Sequence, residues 1–263
     1  MGNNSENYTT ISVTHYKKDE HKMTEEYSFP PFEEEIKKIL DKLGGKRMET
    51  YQGEDITPLW DLKGEGLPWS YKYLYTAPKV EKILFMVQSF RDKLMSYGAS
   101  IWPDDEHALP IFSVYWAESA KGSYFIADFY PTADCICDIP YMEHYLEPLE
   151  DAFSKGMEHF PSLGTGRNPN WFKALCSPYC IAGDFFPSTK VTQGHILEIM
   201  TSYLNVYYDL WEKDQPRDPE YMKPLNIRKA AIRRNFIEKD PGAFMMEKAV
   251  GEKMADLGLR VLF

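Results

Sequence analysis

Cys176 and Cys180 lie in the segment WFKALCSPYCIAGDFFP, and their spacing raises the question of which thiol chemistry they support. The other two cysteines, Cys135 and Cys137, are separated by a single residue. Neither spacing is that of the paired C-x-x-C motifs of structural zinc sites or of an iron–sulfur run. We therefore expect no bound metal, and we expect Cys176 and Cys180 to lie in a pocket or in the core, where a thiol behaves as a small apolar group.

The common catalytic motifs are absent from the chain. There is no glycine-rich phosphate loop, no G-x-S-x-G nucleophile elbow and no H-E-x-x-H zinc motif. The histidine of most interest for acid–base chemistry is His107, in the loop WPDDEHALP between two predicted strands, with Asp105 in the same loop. A large aromatic-rich sheet covered by helices, without these motifs, is typical of a site for a bulky apolar ligand.

The charge of the chain limits its partners. It has 40 acidic and 30 basic residues, a net charge of −10, which argues against nonspecific nucleic-acid binding because phosphates require clustered Lys and Arg. One segment departs from this balance, and its basic residues are Lys223, Arg228, Lys229, Arg233, Arg234 and Lys239. This basic segment is either a solvated helix face or a docking patch for an acidic partner.

The N-terminal segment and the apolar runs of the sequence predict the domain boundaries and the cellular compartment of the protein. Residues 1–25 are polar and predict a flexible tail before a single domain over residues 26–263. No stretch has the apolar length of a signal peptide or a membrane span, and the cysteine content favours free thiols in a reducing compartment. We expect a monomer that contacts no membrane and is cytoplasmic, or stromal if it comes from a plastid.

The order of the predicted elements gives the fold class. The stretch PPFEEEIKKILDKL has helical apolar spacing, and short aromatic and β-branched runs between about residues 70 and 130 predict an antiparallel sheet. Apolar residues at both parities of these strands indicate cover on both faces. Helices are predicted at about 141–156, 192–211, 219–238 and 242–256, with a returning strand at about 177–185. The expected fold is α/β, a three-layer α/β/α sandwich around a central antiparallel sheet.

Several segments of the chain resemble, in order and spacing, those of the ferredoxin-dependent bilin reductases. They are the strand pair WP....ALPIFSVYW and SYFIADFYP, the stretch YMEHYLEPLEDAF, the motif SPYC at residues 177–180 and the C-terminal KDPGAFMMEKAVGEKMADLGLRVLF. The resemblance covers roughly residues 30–263. No single motif is diagnostic, and the collinear order carries the resemblance.

The resemblance implies a fold and a chemistry. Members of the family are similar α/β/α sandwiches that bind an open-chain tetrapyrrole between the sheet and the C-terminal helices. They carry no metal or flavin, take single electrons from reduced ferredoxin, and protonate a bilin radical from their side chains. The resemblance thus implies no bound cofactor, a biliverdin or dihydrobiliverdin substrate, and ferredoxin as partner. Because ferredoxins are acidic, the expected docking residues are Arg228, Lys229, Arg233 and Arg234.

The resemblance also implies roles for individual residues. Arg167, in GRNPNW, matches an arginine that pairs with a bilin propionate in phycocyanobilin-forming members, and Ser123 matches a strand serine able to hydrogen-bond a propionate. Asp240 in KDPG matches a C-terminal aspartate that faces the pigment and donates a proton. Its position before Pro241 is equally that of a helix N-cap. Ser177 in SPYC is expected at the substrate site.

Three positions depart from the family pattern. The strand aspartate that is a main proton source in the family is Tyr115 here. The glutamate and histidine of the phycocyanobilin-forming branch read Met86, which we expect to contact substrate, and Gly98. A phenol, with a reference pKa of about 10, is a weaker acid than a carboxyl group, yet it can hydrogen-bond a lactam or supply a proton after electron transfer.

Two functions follow from these residues. One is ferredoxin-dependent reduction of a biliverdin-like linear tetrapyrrole, with protons from Asp240, Tyr115 and either His107 or Asp105. The other is binding of a bilin or another tetrapyrrole without reduction. The missing strand aspartate is the feature that separates the two.

Overall fold

The computed structural model describes residues 30–65, 67–90, 94–120, 122–160, 168–183 and 187–263. The tail predicted at residues 1–25 lies outside these ranges. The strands, in chain order, are β1 (Lys46–Arg47), β2 (Thr50–Tyr51), β3 (Glu54–Asp55), β4 (Leu62–Gly64), β5 (Leu67–Ala77), β6 (Val80–Phe90), β7 (Leu94–Pro103), β8 (Ile111–Ser119), β9 (Gly122–Tyr130) and β10 (Ile181–Ala182). Eight of them form one antiparallel sheet in the order β1–β5–β6–β7–β8–β9–β10, with β4 also paired to β5.

Helices cover both faces of the sheet; the first precedes the strands in sequence and the others follow β9. They are α1 (Pro30–Leu43), α2 (Ile139–Tyr145), α3 (Glu150–His159), α4 (Asn170–Lys173), α5 (Lys190–Lys213), α6 (Pro219–Lys239), α7 (Pro241–Val250) and α8 (Glu252–Leu262), with 3-10 turns at Thr57–Asp61 and Glu147–Leu149. None of these helices, in the part of the chain that the structure describes, is both long and apolar enough to cross a bilayer.

Two predicted helices are interrupted in the structure. The helix expected at about 141–156 is divided by a 3-10 turn that contains Pro148, whose ring and missing N–H disrupt a regular helix. The helix expected at about 242–256 is divided at Gly251, which has φ of +80° and so cannot continue a right-handed helix. The returning strand expected at about 177–185 is only the two residues of β10.

Apolar side chains project from both faces of the sheet, because the side chains of successive residues in a strand point in opposite directions. On one face, Phe85, Phe112 and Phe125 belong to a cluster that includes residues of α1, α3 and α5. On the other face, Leu74 and Leu84 pack with residues of α7 and α8. The predicted α/β/α sandwich with a two-sided antiparallel sheet is therefore confirmed.

Two basic side chains, buried Lys82 and half-buried Arg233, connect the C-terminal helices to the sheet and to one another. The Nζ of Lys82, on β6, donates hydrogen bonds to the carbonyl oxygens of Arg260 at 3.2 Å and Val261 at 3.0 Å. The Nε of Arg233, on α6, donates to the main-chain oxygen of Phe263 at 2.6 Å. The last carbonyl groups of a helix have no partner within it, so these cations satisfy groups that would otherwise be unpaired.

Gly64 of β4 provides a test of how closely α7 approaches the sheet. A Cβ at this position would lie 2.0 Å from the carbonyl oxygen of Ala249, so Gly64→Ala forces backbone to move, and we expect it to lower the free energy of unfolding by about 1–3 kcal/mol. Gly194→Ala is the matched control, because nothing lies within 4 Å of its Cβ and the residue is inside α5. That change should raise stability by about 0.5–1 kcal/mol. Urea denaturation followed by circular dichroism measures both, and an unchanged Gly64→Ala would contradict the close approach.

Candidate active site

A cavity of about 360 Å³ lies between the sheet and the C-terminal helices. This volume falls in the range of about 300–1,000 Å³ that small-molecule sites occupy. Its walls are mostly apolar, with Met86 and Tyr130 from the sheet and Phe172, Phe236 and Met246 from the helices. The polar residues that line it are Gln88, Ser100, Ser113, Tyr115, Tyr124, Asn168 and Asp240. Such a cavity suits a large apolar ligand that carries a few polar groups.

Asp240 is the one carboxyl residue that lines the cavity among the described residues. It stands between α6 and α7, where it is the N-cap of α7 and its Oδ1 accepts a hydrogen bond from Gly242 N at 2.7 Å. Burial raises the pKa of this carboxyl group, while the hydrogen bond from Gly242 opposes the rise. Asp240 therefore both caps a helix and presents a half-buried carboxyl group to the cavity.

Tyr115 lines the same cavity from β8. Burial raises the pKa of its phenol to about 12, and the negative charge of Asp240 contributes to the rise. Its ring contacts that of Tyr124 edge to face, with the centroids 6.2 Å apart. At neutral pH the phenol is therefore protonated and can donate a hydrogen bond to a ligand.

Tyr115 belongs to a row of residues that are opposite one another on neighbouring strands. Lys72 of β5 pairs with Met86, Met86 with Gly98, and Gly98 with Tyr115. Gly98 makes room for the thioether, since a Cβ there would lie 3.0 Å from Met86 Cε. The row Met86–Gly98–Tyr115 thus gives the cavity wall a thioether, bare backbone and a phenol.

Comparison with known proteins identifies the family. A model of the ferredoxin-dependent bilin reductases matches residues 67–263, which include all the strands and helices that line the cavity. The chain belongs to this family. A crystal structure of phytochromobilin synthase from tomato in complex with biliverdin has the same fold, with a TM-score of 0.72 and 16% sequence identity over 86% of this chain and 79% of that one. No curated protein sequence matches the chain.

The three departures from the pattern of the bilin reductase family lie together in space. Met86, Gly98 and Tyr115 are the positions where the family resemblance leads one to expect acidic or basic side chains, and they form the single row across β6, β7 and β8. The row Met86–Gly98–Tyr115 contains no carboxyl group. The remaining carboxyl group comes from Asp240, on the opposite wall of the cavity.

Two residues expected to bind substrate have side chains occupied elsewhere. Ser123 points to the opposite face of the sheet from the cavity, where its Oγ donates to Glu118 Oε1 at 2.5 Å. Ser177 Oγ donates to Asp128 Oδ1 at 2.5 Å and does not line the cavity. The structure thus corrects the expectation for both residues. Arg167, the expected propionate partner, lies outside the described residues.

His107 and Asp105 are not brought to the cavity either. His107 is buried in the loop after β7, and its Nδ1 lies 2.7 Å from Asp104 Oδ1. Asp105 Oδ1 accepts a hydrogen bond from Lys229 Nζ at 2.6 Å. Both residues therefore act within the loop that joins β7 to β8, contrary to the expectation that one of them supplies a proton to the ligand.

The basic residues of α6 fall into two groups, those that are bonded within the fold and those that remain accessible at the surface. Lys229 is buried and also donates to the main-chain oxygens at the end of β7, and Arg233 binds Phe263 and Glu81. These two residues are therefore not available to a docking partner, which corrects the expectation. Arg228 is half-buried, with its Nε 2.9 Å from Pro131 O, and Arg234 is exposed.

The cysteine pair lies beside the cavity wall. Cys180 is buried in a cluster with Tyr130 and Phe172, and Cys176 packs against that cluster while its Sγ donates to the carbonyl oxygen of Phe172 at 3.3 Å. A hydrogen bond with Cys176 and burial raise the pKa of Cys180, so this thiol is protonated at neutral pH. The two residues lie in the core, as the sequence predicted.

Two side-chain clusters among the described residues have metal-ligand chemistry. They are Asp128, Cys176 and Cys180, and separately His159, His195 and Glu198, and in each the ligand atoms lie within 4.8 Å of one another. The carboxylate of Asp128 is already bonded by Ser177 and by Phe129 N. The rings of His159 and His195 stack with centroids 3.7 Å apart. Neither cluster lines the cavity, so neither provides a metal to the candidate site.

Sequence reasoning missed two buried polar residues of this region. Asp128 of β9 accepts hydrogen bonds from Ser177 N and Oγ and so fixes the SPYC turn beside the sheet, while burial raises its pKa to about 7. Lys72 of β5 is buried next to the row that contains Tyr115. The available signal was a charged residue inside an apolar strand, in SYFIADFY and in YKYLY.

Thiol reactivity tests the placement of the cysteines. With 5,5′-dithiobis(2-nitrobenzoic acid), exposed Cys137 should react first, whereas buried Cys180 should react only after denaturation. The Cys137→Ser variant should lose the fast phase and keep the slow one. A fast phase from Cys180, or stoichiometric zinc or iron in the purified protein, would contradict this placement.

Proposed function

We propose that this protein reduces a biliverdin-like linear tetrapyrrole with electrons from reduced ferredoxin. The observation that carries the proposal is a half-buried carboxyl group with a raised pKa, that of Asp240, in the wall of a mostly apolar cavity within the segment that matches the family. The tomato neighbour binds biliverdin in the same fold. An apolar cavity with few polar groups suits the conjugated rings of a bilin, which are flat and hydrophobic.

The reaction needs two electrons and two protons for each double bond reduced. Two reduced ferredoxins, one after the other, supply the electrons and become oxidised, so the bilin passes through a radical. Asp240 gives one proton to the pigment after each electron transfer and is protonated again from solvent each time, so that it supplies both protons. Its raised pKa favours the protonated form that this role requires.

Tyr115 has a different part in the proposal. Its phenol stays protonated at neutral pH, so it donates a hydrogen bond to a lactam oxygen or nitrogen of the pigment and holds the ring in place. Because its pKa is about 12, it is a weaker acid than Asp240 and orients the substrate more than it protonates it.

The absence of carboxyl groups from the row Met86–Gly98–Tyr115 favours a second candidate function, which is bilin binding without reduction. An anaerobic assay with biliverdin, ferredoxin and a ferredoxin reductase distinguishes the two. Reduction consumes biliverdin and gives a product that chromatography separates. Binding alone changes the absorption spectrum of biliverdin and consumes none.

Asp240→Asn tests the proposed proton donor. The amide oxygen can still accept the hydrogen bond from Gly242 N, so folding and biliverdin affinity should persist, while turnover should fall by about 10²-fold or more because no acidic proton is available. In the wild type, turnover should decline as pH rises through the raised pKa of Asp240. Tyr115→Phe should cost less. Undiminished reduction in Asp240→Asn would contradict the assignment, and loss of folding would show that capping is the main role.

Arg234 is the residue of the basic segment best suited to receive ferredoxin. It is exposed on the outer face of α6, together with Lys223 and the apolar Ile227, whose relative exposure is 69%. Residues 223, 227 and 234 share one side of a helix because their spacings are close to whole turns. A rim of positive and apolar side chains suits an acidic electron carrier that binds briefly.

Arg234→Glu tests this surface. Turnover with limiting ferredoxin should fall about tenfold at low salt, and the difference from wild type should shrink as salt rises, because rim charges act mainly on encounter. Lys155→Glu, an exposed change on α3 across the sheet, is the matched control and should have little effect. Biliverdin affinity should be the same in all three proteins. Equal turnover of Arg234→Glu and wild type at low salt would remove Arg234 from the docking surface.

A further inference from the structure

Lys72 is a buried cation without an anionic partner. Its relative exposure is 1%. Its Nζ donates to Ser70 Oγ at 2.9 Å, and Gln88 Oε1 is 3.5 Å away. Within the described ranges, no carboxylate forms an ion pair with it. The ammonium group therefore has two neutral acceptors, one of them at the limit of hydrogen bonding, for three N–H donors.

The other buried lysines of the described chain differ from Lys72. Lys82 donates to two main-chain oxygens at the end of α8, and Lys229 donates to two main-chain oxygens and to Asp105. Lys82 and Lys229 thus each have acceptors that account for their burial, and each connects two elements of the fold. Burial lowers the pKa of Lys72 to about 8, with no nearby acid to oppose it, which is the behaviour of a cation kept in an unfavourable environment.

Lys72 belongs to a strip of polar side chains on the cavity face of the sheet. Ser70 pairs with Gln88, and Gln88 with Ser96, in the row adjacent to Lys72–Met86–Gly98–Tyr115. Gln88 lines the cavity. Ser96 Oγ is buried and interacts with the Tyr115 phenol, whose pKa this interaction lowers. We call Ser70, Lys72, Gln88 and Ser96 the polar strip; it reaches the cavity through Gln88, and its other three side chains are buried beside Gln88.

We propose that the polar strip is an anion subsite in which Lys72 pairs with a carboxylate group of the bound tetrapyrrole. The inference rests on the proposed function, because it takes a bilin as the occupant of the cavity. The carboxylate replaces Gln88 Oε1 as the acceptor for Nζ, once the Gln88 side chain turns aside. Pairing then supplies the counter-ion that the buried ammonium lacks.

The test compares biliverdin with biliverdin dimethyl ester, whose propionate groups carry no charge. Dissociation constants are measured by absorbance titration for the wild type, Lys72→Met, and the exposed control Lys46→Met on β1. Lys72→Met should weaken biliverdin binding by about tenfold or more, the range of a charge-assisted hydrogen bond, and leave the ester unaffected. Lys46→Met should change neither.

Thermal stability separates a binding role from a structural one. Without ligand, Lys72→Met should melt at the same temperature as the wild type or higher, because an apolar side chain of similar size removes an unpaired buried charge. Equal biliverdin affinity in Lys72→Met and wild type would overturn the inference, whether or not the melting temperature falls. Equal weakening of the binding of biliverdin and of its ester would also overturn it. If the wild type binds neither pigment, the proposed function itself fails and the inference falls with it.

Discussion

The cavity depends on basic side chains that bind main-chain oxygens at the ends of helices and strands. Lys82 holds the end of α8, Arg233 holds Phe263, and Lys229 connects α6 to the end of β7. Each of these oxygens lacks a partner within its own element, so the basic side chain supplies the missing donor and gains an acceptor in return. Because α7 and α8 form the roof of the cavity, the same contacts fix the distance between roof and sheet. Some of the basic residues of α6 that suggest a docking surface in the sequence therefore stabilise the fold instead.

The two faces of the sheet have different packing although the same strands supply both. One face is filled by interlocking aromatic rings such as Phe112 and Phe129, whose centroids are 6.0 Å apart, beneath the long helix α5. The other face is covered by the short helices α7 and α8, which meet at Gly251, and by α4 and α6. At the middle of that face Gly98 contributes no side chain, and the cover does not fill the space above it. A cavity next to a close-packed core thus follows from the period of two in a β-strand.

The sequence predicts the layers of this fold better than it predicts the site. Aromatic and β-branched runs identified the long strands, and apolar residues at both parities correctly indicated cover on both faces. Ser123 shows where such reasoning stops, since a match to a family motif does not tell which face of the sheet the side chain is on. Lys229 shows the same limit for charge, because a helix has no sequence signal for a lysine that reaches a neighbouring strand end. Lys72 is visible in the sequence as a lysine inside an aromatic strand. Its role depends on its hydrogen-bond partners, Ser70 and Gln88, and the sequence alone does not identify them.

Asp240 brings a carboxyl group to a cavity whose sheet wall has none among the described residues that line it. A helix that begins with Pro needs a side-chain acceptor at its N-cap, so Asp240 is required for α7 whether or not the cavity holds a ligand. The hydrogen bond from Gly242 favours the ionised carboxylate, while burial in the cavity wall favours the protonated acid. A ligand that fills the cavity removes water from this carboxyl group and strengthens the second effect. An occupant of the cavity would therefore shift Asp240 toward the protonated acid, which is the form that the proposed proton donation requires.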